Sequence, residues 1–371
     1  MERQSKIRAL VSATAALALL SVAFPLAAHG PISRPAGAPA PAPRVPAYRV
    51  VDVGTLQEGV SSLFRGLNNS GHGAGGSGTF GSGHRALMLS STRVEPIGPP
   101  GADYSRAFGL NDLGEVVGSV NTSSAVRGFV WSRTAGLRLL SPLPGDSGSE
   151  GFGINARGET VGVSSGPRGV NAVRWTSSGV PQALATVAGT RTSRALAIND
   201  AGDAVGSAED GRARRAIRWR GGASAEELGA LPGHVTSEAV AINTRGEVAG
   251  WSGPLGGERA ALWAPGLAVR DLGTLPGGEW SRARAVNSRG EVVGTTGSFL
   301  GARAFRWTAA AGLQDLNDLV PISDFVLLDV AGVNEAGEIL VIGRDELPDA
   351  GADTHTNHEF PVRVFFLQPL P

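Results

Sequence analysis

The chain has 371 residues, of which 42% are hydrophobic and 18% charged, so it can bury a large core and is not a disordered chain. Its 33 basic and 33 acidic residues give a formal charge of zero, which removes the electrostatic argument for a nucleic-acid or membrane-surface partner. It has no cysteine, which excludes disulfides, zinc–thiolate sites and lipoprotein acylation.

The amino terminus has the pattern of a secretory signal. Three basic residues among the first eight precede an apolar Ala/Leu/Val run from Ala9 to Ala28. We predict a signal peptide over residues 1–28, with an uncleaved membrane anchor as the alternative because Leu26 fits a cleavage site poorly. Residues 29–47 are rich in proline and alanine, which predicts an extended linker. The mature chain is therefore expected to be secreted, extracellular or periplasmic, without a membrane span.

From residue 48 onward one pattern repeats seven times. Each unit has an asparagine, a glycine three residues later, then an acidic or polar residue and an apolar pair. The asparagines are Asn68, Asn111, Asn155, Asn199, Asn243, Asn287 and Asn334. Five tryptophans keep the same period, namely Trp131, Trp175, Trp219, Trp263 and Trp307. Each unit also reads as four short strands separated by Gly- and Asn-containing turns, so we predict an all-β, seven-bladed propeller over residues 48–371.

Two features predict which strand is innermost and how the ring closes. Small residues alternate before each asparagine, as Ala239 and Ala241 do, which suits strands that converge on an axis. The last unit ends after a third strand, Arg363–Leu367, whereas Tyr48–Leu56 resembles the fourth strand of the other units. We therefore predict that the N-terminal strand completes the seventh blade and hides its edge. A linear β-solenoid is the alternative.

Three motifs within the units resemble those of a known family. They are Ile242–Gly250, Arg303–Trp307 and Asp271–Leu275, which recur at a fixed period over roughly residues 48–371. This arrangement resembles the extracellular HAF-repeat family of bacteria, named for a His-Ala-Phe motif. No unit keeps the histidine, because six units have arginine there and one has Asn171. The resemblance implies export and a repeat scaffold, and it brings no activity to transfer.

The residue five positions before each asparagine alternates in sign through six consecutive units. These residues are Arg106, Glu150, Arg194, Glu238, Arg282 and Asp329, and Leu63 stands there in the first unit. On innermost strands they would line one mouth of a central channel and could bind a polar or charged ligand. We favour the alternative of a belt of arginine–carboxylate pairs between neighbouring blades, because pairing requires strict alternation.

A second acidic series lies four residues after the asparagine in six units: Glu115, Glu159, Asp203, Glu247, Glu291 and Glu338. Paired carboxylates can hydrolyse glycosides, but a residue repeated in successive units is more simply a structural element. We predict that the arginines at the lost histidine position pair with these acids. Such pairs contribute about 0–1 kcal/mol each when exposed.

The tryptophans divide into two groups. The five periodic ones are interpreted as packing between blades, with sugar stacking as the alternative. Trp251 and Trp280 fall outside the series and are predicted to make a surface contact.

Two segments depart from the repeat. Gly71–Gly83 is rich in glycine and serine, and its length indicates a weakened second strand rather than a phosphate cradle. Between Asn334 and Arg363 the last unit carries an insertion that contains Asp353, His355, His358 and Glu359. These four side chains could bind a divalent cation, whereas a solvated loop is the simpler interpretation.

These observations lead to two functional hypotheses. The first is an exported, non-enzymatic binding or interaction scaffold, monomeric, with an extracellular protein or glycan as partner and no cofactor apart from the possible cation. The second is a secreted carbohydrate-active or hydrolytic propeller whose site lies at one mouth of the channel. The chain lacks the common nucleophile-elbow and Walker motifs, but propeller enzymes gather their catalytic residues from several blades.

Overall fold

The computed structural model describes residues 47–55, 60–79, 83–99, 104–298, 301–321, 324–345 and 362–371. They form 28 strands in seven four-stranded antiparallel sheets, which confirms the predicted seven-bladed propeller. The predicted signal peptide and nearly all of the predicted linker lie outside the described residues. No helix in the described part of the chain is long and apolar enough to cross a membrane.

The strands follow the chain blade by blade after β1 (Tyr48–Thr55). Blade 1 contains β2 (Val60–Leu67), β3 (Gly73–Thr79), β4 (Gly83–Leu89) and β5 (Val94–Pro96). Blade 2 contains β6 (Ser105–Leu110), β7 (Val116–Asn121), β8 (Val126–Ser132) and β9 (Gly136–Leu140). Blade 3 contains β10 (Gly148–Ile154), β11 (Thr160–Gly166), β12 (Gly169–Trp175) and β13 (Pro181–Ala183). Blade 4 contains β14 (Thr192–Ile198), β15 (Ala204–Glu209), β16 (Arg214–Arg220) and β17 (Ser224–Glu227).

The remaining blades complete the ring. Blade 5 contains β18 (Ser237–Ile242), β19 (Val248–Ser252), β20 (Arg259–Trp263) and β21 (Arg270–Asp271). Blade 6 contains β22 (Trp280–Val286), β23 (Val292–Ser298), β24 (Gly301–Thr308) and β25 (Gly312–Asp315), followed by a 3-10 turn, η1 (Leu316–Asp318). Blade 7 contains β26 (Phe325–Val333), β27 (Ile339–Asp345), β28 (Val362–Pro369) and β1. The glycine-rich segment forms β3, as predicted.

The N-terminal strand closes the ring. β1 pairs antiparallel with β28, from Tyr48 opposite Pro369 to Thr55 opposite Arg363, and takes the outermost place in blade 7. This confirms the prediction from the split last unit and rules out the linear solenoid. A blade shared by both chain ends leaves neither end of the ring as a free sheet edge.

The repeated asparagine builds the turn between the first and second strands of each blade. In blade 2 its Oδ1 accepts hydrogen bonds from the backbone N–H groups of Leu113 and Glu115. The glycine three residues later has a positive φ, between 72° and 86° across the seven units. Glycine adopts this left-handed conformation without the steric penalty of a Cβ atom, which explains the Asn-x-x-Gly pattern.

A β-bulge in each inner strand explains a second repeated glycine. In blade 3 the pairing register shifts between Gly151 and Gly153, so Phe152 has no partner on β11. A Cβ atom on Gly162, directly across, would lie 1.9 Å from the carbonyl oxygen of Glu150. Only glycine fits there. Blade 7 has Val341 at the equivalent position, and its inner strand carries two register shifts instead of one.

Small residues on the inner strands allow adjacent blades to approach. A Cβ atom on Gly109 of β6 would lie 2.7 Å from the carbonyl oxygen of Phe152 on the next inner strand. Ser149 adds a polar link, because its Oγ accepts a hydrogen bond from the Gly128 N–H group and donates one to Leu140 O. The predicted role of small residues at the axis is therefore confirmed.

The apolar core lies between the blades. Trp175 and Trp219 are fully buried, and their indole Nε1 groups donate to Ser141 O and Ala185 O at 2.7 and 2.9 Å. Trp219 packs in one cluster with Val161 of blade 3, so it spans two blades. The interpretation of the periodic tryptophans as blade-to-blade packing is confirmed.

Candidate functional site

The inner strands of the seven blades surround a central cavity of about 820 Å³. All seven run in one direction, because each ends at an asparagine turn and these turns lie together at one end. We call the other end, where the inner strands begin, the channel mouth. Two sets of side chains project toward the cavity: the residues five before the asparagine, called the charge level, and those three before it, called the bulge level.

At the turn end, a ring of side-chain hydrogen bonds joins the seven blades. Each of the seven asparagine side chains donates from Nδ2 to the backbone carbonyl of the next asparagine around the ring, at 2.8–3.3 Å. The last of these bonds runs from Asn334 to Asn68 and joins the final repeat to the first. We call this set the Asn ring. Its members are buried, which makes the bonds costly to lose.

Sequence reasoning treated these asparagines only as turn residues. Aspartate would accept the same two backbone hydrogen bonds in the turn, yet all seven positions are asparagine. An amide donor is what aspartate lacks. The same amide at all seven positions was therefore the signal that each side chain also donates a hydrogen bond to the neighbouring blade.

The charge level forms the predicted belt of pairs only in part. Glu238 is bound by Arg214 of blade 4 at 3.1 Å, and Asp329 accepts a hydrogen bond from Thr295 Oγ1 at 2.5 Å. Arg282 pairs with Glu258 at 2.5 Å, and that carboxylate is 1% exposed. These three residues thus have partners in the preceding blade at other levels. Arg214 of a third strand and Glu258 of a loop extend toward the axis and bind Glu238 and Arg282. Glu150 is attracted by Arg106 and Arg194 of the two neighbouring blades, so the belt is present there and incomplete elsewhere.

The three remaining members of the charge level lie side by side in blades 2 to 4. Burial raises the pKa of Glu150, opposed by Arg194, by a hydrogen bond with Ser119 and by Arg106. The guanidinium of Arg106 lies over the Tyr104 ring, 4.8 Å from its centre. Burial also lowers the pKa of Arg106. All six charge-level residues line the cavity, as predicted, and ligand binding by them stays a prediction.

The bulge level varies from blade to blade. From blade 1 to blade 7 its residues are Arg65, Phe108, Phe152, Leu196, Val240, Arg284 and Ala331, all of which line the cavity. The rings of Phe108 and Phe152 meet edge to face with their centres 5.3 Å apart. Blades 2 to 5 thus present an apolar wall, and two arginines stand on the opposite side. Sequence reasoning missed this level, and its signal was variation at a position inside a regular repeat.

Arg65 is the most exceptional charge in the cavity. Burial, together with repulsion from Arg284, lowers its pKa to about 9, with a smaller opposing attraction from Asp329. Its guanidinium therefore stays protonated at neutral pH. It also interacts with Arg106 and Glu238, so its charge is felt by residues of blades 2, 5, 6 and 7. A side chain that reaches so many blades must extend toward the axis.

The acids four residues after the asparagines belong to the turn end. Although burial opposes it, hydrogen bonds from Asn155, Arg174 and Arg157 lower the pKa of Glu159 to about 2. An acid so strongly ionised is a poor proton donor at neutral pH, so the structural interpretation is favoured.

Arginines of the third strands pair with these acids, as predicted, but they are not the arginines at the lost histidine position. Glu159 pairs with Arg174, three residues beyond the lost histidine position. Four of the arginines at that position bind acids of the outer strand instead. Arg303, for example, binds Asp315 at 2.9 Å, and Arg259 binds Asp271 at 3.3 Å. Side chains three apart on one strand project from opposite faces, which is why the two sets find different partners.

Trp251 is not a surface residue. It is 8% exposed, lines the cavity and has the guanidinium carbons of Arg282 and Arg214 at 5.3 and 5.9 Å from its ring centre. Its predicted surface contact is therefore wrong. Trp280 is partly buried at the start of β22.

The candidate metal ligands Asp353, His355, His358 and Glu359 lie outside the described residues. The last described residue before them, Asp345 of β27, lies at the channel mouth, because it pairs with Phe325 at the start of an inner strand. Among the residues that the structure describes, no group of three or more His, Asp or Glu could hold a metal ion. A cation in this insertion stays a prediction.

Solved structures share the fold. No family model and no curated protein matches the sequence. The chain is similar to a streptogramin B lyase, with a TM-score of 0.52 and 13% identity over 87% of this chain and 98% of that one. It is also similar to a catalytically inactive virginiamycin B lyase from Staphylococcus aureus with quinupristin. The TM-score is 0.51 and the identity 10%, over 87% of this chain and 100% of that one. Puromycin hydrolase gives 0.54 at 14% identity over 80% of this chain and 52% of that one. At these identities the likeness shows the fold alone.

Proposed function

We propose that the chain is an exported, non-enzymatic binding protein that takes its ligand into the central channel through the mouth. The observation that carries this proposal is the cavity itself, about 820 Å³ of space on the axis, which lies within the range of small-molecule sites. Its lining combines an apolar wall with a few charged groups, the usual composition of such sites. The extracellular glycan or protein expected from the sequence would engage the same mouth through a small protruding group.

Export rests on the sequence alone. The basic, then apolar, amino terminus supports a secretory signal, and the repeat motifs support membership of the HAF-repeat family. The lack of cysteine is compatible with export, because blade packing around the ring gives this chain a large core without disulfides.

A hydrolytic function is the competing candidate, and one observation favours it. Glu150 is a carboxyl group with a raised pKa on the wall of an accessible cavity, between Arg106 and Arg194. A raised pKa at a cavity is typical of a general acid. Against it, the other carboxylates of the charge level, Glu238 and Asp329, are already engaged by hydrogen bonds from neighbouring blades.

Two measurements on the full chain decide between these functions. The first follows the melting temperature with a library of glycans, organic acids and neutral aromatics, for the native chain and for Val240→Trp, which fills the cavity. Val180→Trp, at a 55% exposed position, is the matched control. We expect at least one compound to stabilise the native chain and the control but not Val240→Trp. The binding proposal fails if no stabilisation depends on Val240.

The second measurement tests turnover on nitrophenyl glycosides and esters. We expect background rates for the native chain, for Glu150→Gln and for Glu226→Gln, whose side chain is 48% exposed outside the cavity. Turnover that disappears in Glu150→Gln and survives in Glu226→Gln would establish the hydrolase instead.

A further inference from the structure

The charges that line the cavity are unbalanced. Five arginines and three carboxylates face it, namely Arg65, Arg106, Arg194, Arg282 and Arg284 against Glu150, Glu238 and Asp329. One cation and one anion of this set are already paired with residues outside the cavity wall. The remaining groups leave an excess of positive charge on the axis. A cavity with low-dielectric walls focuses this field and attracts anions.

Arg65 has the strongest need of a partner. In the part of the chain that the structure describes, its guanidinium makes no ion pair within 4.0 Å, although Arg284 forms one with Asp329 at 3.9 Å. A partly desolvated cation with no carboxylate at ion-pair distance costs free energy, because the more distant Asp329 and Glu238 compensate it only in part. The two arginines also repel each other, so one anion between them would relieve both costs.

The opposite wall supplies the second half of the recognition. Phe108 and Phe152 form an edge-to-face pair, and Leu196 and Val240 extend the apolar surface. An inorganic anion would leave this wall in contact with water, and a neutral apolar ligand would leave Arg65 unpaired. A ligand that satisfies both walls carries an anionic group and an aromatic or similar apolar group.

We infer that the channel binds a small aromatic anion, with its sulfonate, carboxylate or phosphate on Arg65 and Arg284 and its ring against Phe108 and Phe152. This rests on the proposed function, since it requires that ligands enter the channel. Arginine suits the anionic end, because its planar guanidinium donates two parallel hydrogen bonds to such groups. The edge-to-face phenylalanines suit the ring end.

The test compares two fluorescent probes that share one ring system. Anilinonaphthalene sulfonate is the aromatic anion, and phenylnaphthylamine is the same aromatic amine without the sulfonate. We expect the native full chain to bind the sulfonate at least about tenfold more tightly, the effect of one good charge-assisted hydrogen bond. Equal affinities, tighter binding of the amine, or no binding of the sulfonate would overturn the inference.

Matched variants place the effect in the channel. Arg65→Met with Arg284→Met should remove the preference for the sulfonate, because methionine keeps apolar bulk without the charge. Arg93→Met with Arg133→Met, at positions 64% and 61% exposed, should leave the preference intact. Val240→Trp should abolish binding of both probes. A preference that persists in the channel double variant overturns the inference, and the native-chain comparison remains decisive if that variant does not fold.

The outcomes also separate this inference from the broader proposal. If neutral compounds bind in a manner that depends on Val240 and the sulfonate gains nothing from its charge, the channel is a binding site but not one for anions. If no compound depends on Val240, both statements fail.

Discussion

The two ends of the central channel are made by the same seven strands but use the repeat in opposite ways. At the turn end every unit supplies an asparagine, and the seven amides form one closed circle of hydrogen bonds. Toward the mouth, at the bulge level, the seven units supply arginine, phenylalanine, leucine, valine or alanine. Side chains that repeat hold the blades together, and side chains that vary shape the cavity.

Physical constraints explain the difference. A side chain in the Asn ring must meet a backbone carbonyl of the next blade, and that geometry is the same seven times. A side chain at the bulge level meets the cavity, where no neighbouring backbone dictates its size or polarity. Selection can therefore act on the bulge level for binding without disturbing the ring. The comparison predicts that variants at the two ends have different consequences.

The largest effect is expected where a repeated residue faces backbone. A Cβ atom in Gly206→Ala would lie 1.9 Å from the carbonyl oxygen of Arg194, and backbone cannot move aside cheaply. We expect a loss of about 3 kcal/mol or more in the free energy of unfolding. Gly257→Ala, whose nearest contact would be 3.5 Å, should cost less than about 0.5 kcal/mol. Chemical denaturation of both variants measures this, and equal losses would contradict the role of the bulge.

The next effect concerns the Asn ring. Asn243→Asp keeps the turn but removes the donor to Asn287 O and sets a second carboxylate against Glu247, whose Oε2 now accepts from the amide at 2.6 Å. We expect a loss of about 2–3 kcal/mol in the free energy of unfolding at neutral pH. Thr244→Asp adds the same charge at an exposed place in that turn and should change little. An Asn243→Asp chain as stable as Thr244→Asp would break the claim that the ring joins the blades.

A pH titration sharpens the comparison with one residue type. The pKa of Glu159, at the turn end, is lowered to about 2, so its contribution is present above about pH 4.5 and is lost as the pH falls toward 2. The pKa of Glu150, at the charge level, is raised by burial, so its ionisation costs stability as the pH rises above about 4.5. Glu159→Gln should therefore destabilise the protein at pH 7 and have a much smaller effect at and below pH 2. Glu150→Gln should stabilise it at pH 7, and effects of the same sign would contradict this account.

The smallest effect on stability is expected at the outer strands, where arginine–carboxylate pairs also repeat but remain exposed to solvent. Arg259 and Asp271 are 33% and 42% exposed, so Arg259→Gln should cost about 0.5 kcal/mol or less. A loss as large as that of Asn243→Asp would mean that repetition alone marks importance, wherever the residue lies.

Most of the fold could be predicted from the sequence because the same pattern recurs in each of the seven units. The seven asparagines, spaced 43–47 residues apart, predicted the number of blades. The split last unit predicted that β1 lies beside β28, as the register shows. Turn chemistry was read correctly from Asn-x-x-Gly. Such features are local, and seven copies of each reinforce the same interpretation.

The candidate site was less accessible from the sequence. Alternation at the charge level indicated pairs, but Glu238 and Arg282 bind Arg214 and Glu258, which lie 24 residues earlier in the preceding blade. Other units have valine or alanine at the position of Arg214 and Glu258, as at Val126, Val170 and Ala302, so the repeat pattern did not mark it. The bulge that turns Phe108 and Arg65 toward the cavity depends on a register shift between strands, and no single residue type in the sequence indicates that shift. A periodic pattern predicts the role of positions that carry the same residue in each unit. It does not predict the role of positions, such as those of the bulge level, where the residue varies. Function was expected in the insertion of the last unit, which lies outside the described residues.

One variant tests the central claim that the varied side chains of the channel serve binding rather than structure. Arg65→Met removes a desolvated cation that repels Arg284, so we predict a free energy of unfolding about 1 kcal/mol higher than that of the native chain. The same variant should bind anilinonaphthalene sulfonate more weakly. Opposite signs for stability and affinity are the mark of a residue retained for its ligand. A less stable Arg65→Met chain with unchanged affinity would show that Arg65 belongs to the scaffold and would contradict the account.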